Sequence, residues 1–314
     1  MAVIIDIAND RLYTDWGIVS KNEIFSLGAF KLNDPQSAYI NLSLGCSAVP
    51  DSCSYENKVL ASTSSTDERY NDKSSFLQGR TGSGATVFKI QKDSVDVATI
   101  TNNTYGVFLE NGSLPNSDYA GFIIDWRTVL SAFGEGCYTI KATWDNLGTS
   151  IDNISQCFKL YNYSSSKAQG TVKFRWVQNG ENNNSYFSFK DFAWTQYLRV
   201  DGFFGFNQPK YIETNILRSD RTLEQVQDQI ENEYTFESHL VPNYIKLQFT
   251  KDIALANEIF VTDYNYYNED QRVLNKAVRL IEFGDFQYYP KSRNLSFEMK
   301  MGDRRNNNIK RKNF

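Results

Sequence analysis

The amino-acid sequence predicts an all-β protein, made mainly of antiparallel β-sandwich domains with one or two short helices. Most of its patterned segments are short runs in which apolar and polar side chains alternate, as they do in half-buried strands. Turn signals such as Lys92-Asp93-Ser94 and Asn111-Gly112 separate these runs. Aromatic residues make up 15% of the chain, which is enough to build cores and leaves a surplus of Tyr and Phe for contact surfaces.

The stretch from Tyr119 to Trp144 is the most sharply punctuated part of the chain and predicts a strand, a short helix and a second strand. An aromatic and β-branched run over residues 119–124 and an alternating run over residues 137–144 indicate the strands. Asp125 can cap the helix at its start, and Gly134 can take the left-handed conformation that ends it. The apolar stripe of this helix consists of Trp126, Val129, Leu130 and Phe133. A helix this short must pack onto the sheet that its flanking strands enter.

Shorter strands are predicted on both sides of this unit. In the first half they cover residues 2–7, 24–32, 39–44, 86–90, 95–100, 105–109 and 156–161. In the second half they cover residues 171–178, 186–189, 194–200, 244–249, 258–264, 278–283 and 295–299. Residues 47–84 lack this periodicity and predict a long polar loop. The GRTGSG sequence at its end lacks the Lys-Ser/Thr pair of a phosphate-binding loop, which argues against nucleotide binding.

The length of 314 residues favours two domains followed by a charged arm. We assign the first domain to residues 1–165 and the second to residues 166–300, with the linker over residues 164–170. A surface helix is predicted near residues 222–234, where a capping-box pair opens a narrow apolar stripe. This stripe consists of Leu223, Val226, Ile230 and Tyr234.

The composition excludes several classes of chemistry. The net charge of −4 argues against general affinity for nucleic acid, and no apolar run reaches the roughly 20 residues of a membrane span. His239 is the only histidine, which excludes a multi-histidine metal site, and no nucleophile elbow accompanies it. No dinucleotide fingerprint, Cys-x-x-Cys pair or calcium loop occurs. We therefore predict no enzymatic activity, no cofactor and no metal ion.

The cysteines and the N-terminus bear on the cellular compartment. The four cysteines are Cys46, Cys53, Cys137 and Cys157. They are too few for a disulfide scaffold in a chain of this length, so we predict buried or incidental thiols. The N-terminal apolar run lacks the basic start and longer apolar middle of a signal peptide, so we expect a protein made and kept in a cytoplasm.

Two aromatic segments are candidate contacts with other subunits. The chain turns sharply at Gly202 and Gly205, and the aromatic side chains around them form either a core corner or a plug into a neighbouring subunit. These side chains are Phe203, Phe204 and Phe206. A second aromatic, Asn-rich loop carries Tyr264, Tyr266 and Tyr267.

The end of the chain, residues 301–314, is a basic arm. Its cations are Arg304, Arg305, Lys310, Arg311 and Lys312, against Asp303 as the one acidic residue. We expect such an arm to be disordered alone and to order against an acidic neighbour or a phosphate backbone. The alternative is that the arm stays in solvent and contacts no partner.

Four segments together carry a resemblance to a known family. They are FIIDWRTVLSAFGEGCYTIK, LRVDGFFG, ANEIFVTDYNYYN and the basic, Asn-rich end of the chain. They resemble structural proteins of crAss-like phages that infect gut Bacteroides, in particular the proteins stacked as rings in the collar and tail. The resemblance covers most of residues 119–314 and is weaker before them. It transfers no individual functional residue.

This resemblance implies a non-enzymatic virion subunit that is assembled in the host bacterial cytoplasm. It implies a homo-oligomeric ring, matching the twelve-fold portal, that links the portal to the distal tail and forms part of the DNA channel. The implied partners are other tail and collar proteins, and DNA that passes without sequence specificity; no membrane contact is implied.

Two other classes of protein stay open at the level of sequence. A carbohydrate-binding or receptor-binding β protein of the tail tip is the main alternative, since exposed Trp and Tyr side chains serve sugars as well as subunits. The sequence also leaves open a pair of glycosidase carboxylates in an aromatic-rich β fold. A bacterial cell-surface protein is the second alternative class, and the missing signal disfavours it.

Overall fold

The all-β prediction is confirmed: in the computed structural model of the chain, most of the described residues lie in strands, which form two main sheets. The structure describes residues 4–5, 11–14, 17–20, 24–26, 57–79, 87–102, 104–108, 119–146, 149–155, 157–178, 187–188, 194–205, 208–217, 219–221, 223–242, 245–246, 248–264, 273–289, 294–304 and 309–311. Within these residues, two short α-helices and one π-helical turn accompany the strands.

The first main sheet is built from the first half of the chain. The strands of this half are β1 (Ile4–Ile5), β2 (Arg11–Thr14), β3 (Gly17–Ser20), β4 (Ile24–Ser26), β5 (Asn57–Ala61), β6 (Lys73–Gly79), β7 (Val87–Lys92), β8 (Val95–Asn102), β9 (Tyr105–Phe108), β10 (Tyr119–Asp125), β11 (Gly136–Asn146), β12 (Thr149–Ile154) and β13 (Phe158–Asn162). The sheet runs in the order β4-β6-β10-β9-β8-β7-β11-β13-β5, with β12 paired to β11. Its neighbours are antiparallel except for β13–β5 and β8–β9. Strands β2 and β3 form a separate hairpin.

The predicted strand, helix and strand are confirmed as β10, α1 (Trp126–Phe133) and β11. The Asp125 carboxylate accepts a hydrogen bond from a first-turn amide at 3.0 Å and so caps the helix. Gly134 has a φ of 75°, and its amide donates to a carbonyl of the last turn at 2.9 Å. The indole Nε1 of the buried Trp126 donates to Ser74 Oγ at 2.9 Å. This bond fastens the helix to β6.

The described residues of the second half form α2 (Ser165–Ala168), the π-helical turn (Gln248–Ile253) and ten strands. The strands are β14 (Thr171–Gln178), β15 (Phe187–Ser188), β16 (Trp194–Phe204), β17 (Gln208–Leu217), β18 (Leu223–Ser238), β19 (Val241–Pro242), β20 (Glu258–Asp263), β21 (Lys276–Tyr289), β22 (Asn294–Asp303) and β23 (Ile309–Arg311). The sheet order is β17-β18-β16-β14-β20-β21-β22-β19, with β23 on β18. Strand β15 pairs with β1 instead.

This second sheet closes on itself, because β18 pairs with both β16 and β22. Six strands in the cyclic order β14-β16-β18-β22-β21-β20 therefore form an antiparallel barrel. Buried rings from three of these strands, Phe174, Phe236 and Phe297, pack together with Phe249. The ring centroid of Phe249 lies 4.8 Å from that of Phe174 and 5.0 Å from that of Phe297.

The strand predicted over residues 244–249 is wrong, because Ile245 and Lys246 are helical and Phe249 belongs to the π-helical turn. The helical turn places Phe249 and Ile253 on the same side, and both are fully buried. The free energy gained by burying these two side chains outweighs the local preference of an aromatic and β-branched run for a strand.

The surface helix predicted near residues 222–234 is wrong, because these residues lie in β18. Strand β18 pairs with β17 and β16 on one side and with β23 and β22 on the other, so its backbone groups are bonded by neighbouring strands. A β-bulge at Val226 separates its two pairing registers with β17. A bulge shifts the alternation of a strand by one residue, so apolar positions on its two sides imitate helical spacing.

The polar loop predicted over residues 47–84 is wrong for two segments, which form β5 and β6. The polar appearance of β6 comes from Ser74 and Ser75, which are both buried. Their hydroxyls are bonded inside the protein: Ser74 accepts from the Trp126 indole, and Ser75 donates to the Thr195 carbonyl at 2.7 Å. The residues between the two strands form a loop, as predicted.

Three further predictions concern turns, the linker and an early strand. The hairpin turn at residues 92–94 is confirmed, with left-handed φ values of 50° at Asp93 and 67° at Ser94. The predicted linker, residues 164–170, contains α2, and its Ala168 is buried. Buried side chains of both halves form one continuous core. The strand predicted over residues 39–44 lies outside the described residues.

The cysteine prediction is wrong at one position. Cys137 is a half-buried thiol, whereas Cys157 is disulfide-bonded. Cys46 and Cys53 lie outside the described residues.

Candidate functional site

The two halves of the molecule meet at a buried ion cluster formed by Asp72, Lys173 and Arg199. Arg199 binds the Asp72 carboxylate with two hydrogen bonds, from Nε to Oδ2 at 2.7 Å and from Nη2 to Oδ1 at 2.9 Å. Lys173 Nζ lies 3.1 Å from Asp72 Oδ1, and the Leu60 amide donates to Oδ2 at 2.8 Å. Each carboxylate oxygen therefore receives two donors, which fills its capacity.

The cations of the cluster have further partners. Lys173 Nζ donates to the Glu68 carbonyl at 2.9 Å and to the Asn71 carbonyl at 3.0 Å, in addition to its ion pair. The guanidinium carbon of Arg199 lies 4.5 Å from the centroid of the Tyr264 ring. A buried group of charges is tolerated in a protein only when its donors and acceptors are paired in this way.

Burial and the neighbouring charges shift the pKa values of all three groups. Burial raises the pKa of Asp72, but the Arg199 guanidinium and the Lys173 ammonium outweigh burial and bring this pKa down to about 2. Burial lowers the pKa of Lys173, and Asp72 opposes that effect only in part. Burial also lowers the pKa of Arg199, but Asp72 reverses the shift and raises it above its ordinary value. The cluster formally carries two positive charges and one negative charge.

Strand alternation brings these residues together. In β14, Phe174 enters the core, so its neighbour Lys173 faces the outside of the barrel. Lys173 and Arg199 are direct cross-strand partners between β14 and β16. Asp72 immediately precedes β6, and its amide donates to the Leu60 carbonyl of β5 at 2.8 Å. The first sheet therefore holds the carboxylate against the outer face of the barrel.

A cleft of about 290 Å³ opens beside the cluster. Its floor is the next row of outward side chains, where Arg175 lies between its cross-strand partners Tyr197 and Phe260. The loop that precedes β6 forms a wall that includes Glu68, and Lys73 of β6 pairs with that carboxylate at 2.9 Å. The cleft is thus lined by both signs of charge and by aromatic rings.

A second feature is the hairpin of β17 and β18, which continues beyond the barrel. Residues 233–238 of β18 pair with barrel strands, whereas residues 223–233 pair with β17. In the part of the chain that the structure describes, β17 pairs with β18 alone, so one backbone edge of this strand faces away from the sheet. The cross-strand partners Tyr211 and Ile230 are exposed, at 56% and 43%.

The structure separates the aromatic residues that the sequence grouped as candidate contacts. Phe204 is fully buried and stacks on Tyr234 with ring centroids 5.2 Å apart, so its side chain belongs to the core. Phe203 beside it is half-buried. Tyr264 lies at the junction, where its ring covers Arg199. Phe206, Tyr266 and Tyr267 lie outside the described residues.

The basic arm meets its own chain. Residues 309–311 form β23, and Lys310 is the register partner of Asp228 in β18. Arg304 Nη1 lies 2.6 Å from Glu258 Oε1. Arg311 belongs to the same strand as Lys310, and Arg305 and Lys312 lie outside the described residues. An acidic strand of the same chain therefore lies where an acidic neighbour was expected.

Sequence reasoning missed the ion cluster. Asp72 lies in the stretch interpreted as a polar loop, and Arg199 lies in a predicted strand without a distinguishing pattern. The usable signal was in TVKFRWVQ, where Lys173 and Arg175 alternate with apolar residues and so mark a charged outward row. That signal indicates a polar face and does not identify the partner that covers it.

Comparison with known proteins adds no family: no family model and no curated protein matches this chain. Among the described residues, no group of three or more His, Cys, Asp or Glu side chains is placed to hold a metal ion. None of the described helices is long and apolar enough to cross a membrane. The fold and the site define an all-β protein with a closed barrel, a projecting hairpin and a charged cleft where its two halves meet.

Proposed function

We propose that this chain is a structural subunit of a phage virion, and that copies of it assemble into a ring of the collar or tail. The ring links the portal to the distal tail and forms part of the DNA channel. The resemblance of the four sequence segments supports the phage assignment. The observation that carries the assembly role is the β17–β18 hairpin, whose outer strand has an open edge in the described chain.

An open strand edge is a template for pairing with another chain, and monomeric proteins usually shorten or cover such edges. Strand β17 offers an edge ten residues long, on a hairpin that projects from the barrel. The exposed Tyr211 and Ile230 add apolar area to one face of the same hairpin. A neighbouring subunit that pairs with β17 would cover both the edge and this face.

A ring needs two different contact surfaces, because each subunit touches one neighbour on each side. The end of β21 is suited to be the second surface, since Phe286, Tyr288 and Tyr289 are exposed there at 39%, 58% and 36%. Phe286 stacks on Phe297 with ring centroids 5.9 Å apart, which restricts its motion. Rigid, exposed aromatic side chains are typical anchors of protein interfaces. We therefore propose that the hairpin of one subunit contacts the C-terminal end of β21 in the next subunit.

Native mass spectrometry and light scattering of the purified chain test the assembly role. We expect a closed oligomer, and we expect Tyr211→Glu or Tyr288→Glu to shift it to monomer by placing a charge in a desolvated contact. Val95→Glu is the matched control, because Val95 is 64% exposed on a hairpin of the other sheet. A monomer at every concentration, or variants that assemble like the wild type, would contradict the proposal.

Quantitative mass spectrometry of gradient-purified phage particles tests the virion assignment separately. We expect a stoichiometric ratio to the portal subunit near one, as for a ring stacked on the portal. Absence of the chain from particles would overturn the virion assignment and would favour the carbohydrate-binding alternative.

A further inference from the structure

Among the described residues, the cleft beside the ion cluster has more cations than anions. The cleft and the adjoining cluster contain the cations Arg69, Lys73, Lys173, Arg175 and Arg199 and the anions Asp67, Glu68 and Asp72. Ion pairs join Arg69 to Asp67, Lys73 to Glu68, and both Lys173 and Arg199 to Asp72. Among the described residues, no carboxylate lies within ion-pair distance of Arg175.

Arg175 is oriented to receive an anion from the cleft. Its guanidinium carbon lies 4.0 Å from the centroid of the Phe260 ring, and its Nη2 donates to Asn275 Oδ1 at 3.2 Å. Stacking on a ring fixes the plane of the guanidinium, and the in-plane N–H groups that remain match the two oxygens of a carboxylate.

The Tyr197 hydroxyl adds a second donor to the same place. Tyr197 is the cross-strand partner of Arg175 on β16, and it lines the cleft as a half-buried side chain. Within the described part of the chain, its hydroxyl makes no hydrogen bond. A hydroxyl next to an oriented guanidinium is a chemically suitable pair of donors for one carboxylate.

The opposite wall of the cleft carries carboxylates, which a binding surface for a polyanion would lack. Asp67 and Glu68 bring carboxylate acceptors to the cleft beside the ammonium group of Lys73. Repeated phosphates would be repelled by these carboxylates, whereas neutral hydroxyl groups can donate to them and accept from the ammonium. The volume of about 290 Å³ lies near the lower end for ligand pockets, which fits one sugar unit.

We propose that this cleft binds a carboxylate-bearing sugar of monosaccharide size, such as a hexuronic acid. Its carboxylate binds Arg175 and Tyr197, and its ring hydroxyls bind the wall formed by Asp67, Glu68 and Lys73. The site goes beyond the proposed ring role and does not depend on it, because it lies within one subunit.

Ligand-observed NMR titration of the full chain with four probes tests this assignment. We expect D-glucuronate to bind about tenfold or more tightly than D-glucose, acetate or glucose 6-phosphate. If acetate bound as tightly as glucuronate, the cleft would recognise only a carboxylate and not a sugar, which would overturn the proposal. Glucose or the phosphate binding as tightly as glucuronate, or no binding of glucuronate, would also overturn it.

Three variants locate the site. Arg175→Gln should weaken glucuronate binding by about tenfold or more, and Tyr197→Phe should weaken it by a smaller factor, because one hydroxyl is lost and the ring is kept. Arg279→Gln is the matched control, since Arg279 is an exposed barrel arginine paired with Glu231 outside the cleft. Thermal midpoints near that of the wild type show that the variants fold. An unchanged affinity in a folded Arg175→Gln would overturn the proposal.

Discussion

The carboxylate of Asp72 receives donors from β5, β14 and β16, so one side chain ties the first sheet to the barrel. Formation of such a cluster contributes little net free energy, because the desolvation of three charges offsets their attraction. Loss of one partner is different, since the charges that remain are buried and uncompensated. A substitution that removes the charge of Asp72 should therefore cost much more stability than the intact cluster contributes.

Asp72→Asn should lower the free energy of unfolding by about 3 to 5 kcal/mol, measured by urea denaturation at neutral pH. The substitution removes the anion and turns an amide NH₂ toward the donors of Arg199 and Lys173. Glu282→Gln serves as the control, because Glu282 forms an exposed ion pair with Lys300 at 3.5 Å and should cost less than about 1 kcal/mol. Equal effects of the two substitutions would contradict the buried role of Asp72.

The pKa of Asp72 also predicts how stability depends on pH. This pKa falls from 3.8 to about 2 on folding, so the folded protein binds the proton less tightly than the unfolded chain. The stabilisation is complete above pH 4 and is lost as the pH falls through about 2, and it amounts to about 2 kcal/mol. We expect the wild type to lose about this much more stability than Asp72→Asn between pH 4 and pH 2. Parallel pH profiles of the two proteins would refute this assignment.

At the scale of elements, two glycines in the first half of the chain have different roles. A Cβ at Gly106 would lie 2.6 Å from the Ile123 carbonyl oxygen of the paired strand β10. A Cβ at Gly134, at the end of α1, would meet nothing within 4 Å, but the φ of 75° is unfavourable for alanine.

Gly106→Ala should therefore destabilise by about 2 to 3 kcal/mol through a backbone clash, and Gly134→Ala by about 1 kcal/mol through conformation alone. Gly170→Ala is the control for the second effect, because Gly170 has the same φ of 75° and the same open surroundings. Urea denaturation of the three variants measures the difference. A cost at Gly106 no larger than at Gly134 would show that the β9 and β10 backbones separate easily.

Elements with local signals were predictable from sequence. The cap at Asp125, the exit at Gly134 and the turn at residues 92–94 depend on neighbouring residues, and the structure confirms all three. Strand β18 was not predictable in this way, because its bulge at Val226 imitates helical spacing and its pairing partners are remote in sequence. Strand β6 was missed because its core serines are bonded to residues that a local pattern does not contain.

At the scale of the whole molecule, the fold depends on contacts between distant parts of the chain. Asp72 and Arg199 are separated by 127 positions, and closure of the barrel joins β18 to β22. Hydrophobic periodicity identifies which face of a strand is buried, but it does not identify which strand lies beside it. The all-β class was therefore predictable from sequence, whereas the ion cluster and its cleft required the structure.

The basic arm connects the fold to assembly, because β23 pairs with β18 of the projecting hairpin. Removal of residues 305–314 takes away four cations and no anion, which changes the formal net charge from −4 to −8. The truncation must spare Asp303, since its carboxylate accepts from Asn232 Nδ2 at 2.8 Å and lies 2.8 Å from Lys276 Nζ. It must also spare Arg304, which pairs with Glu258.

We expect this truncation to weaken oligomer formation more than it lowers the free energy of unfolding. The stability effect is small because β23 contributes only three paired residues at an edge, whereas the assembly effect is larger because the acidic hairpin loses its covering strand and its counter-charges. Native mass spectrometry and urea denaturation measure the two effects on the same samples. The double variant Lys310→Glu, Arg311→Glu keeps the length of the arm and reverses the charge of β23, so it separates electrostatic repulsion from loss of the strand. An oligomer of unchanged mass and stability in the truncated chain would exclude the arm from assembly.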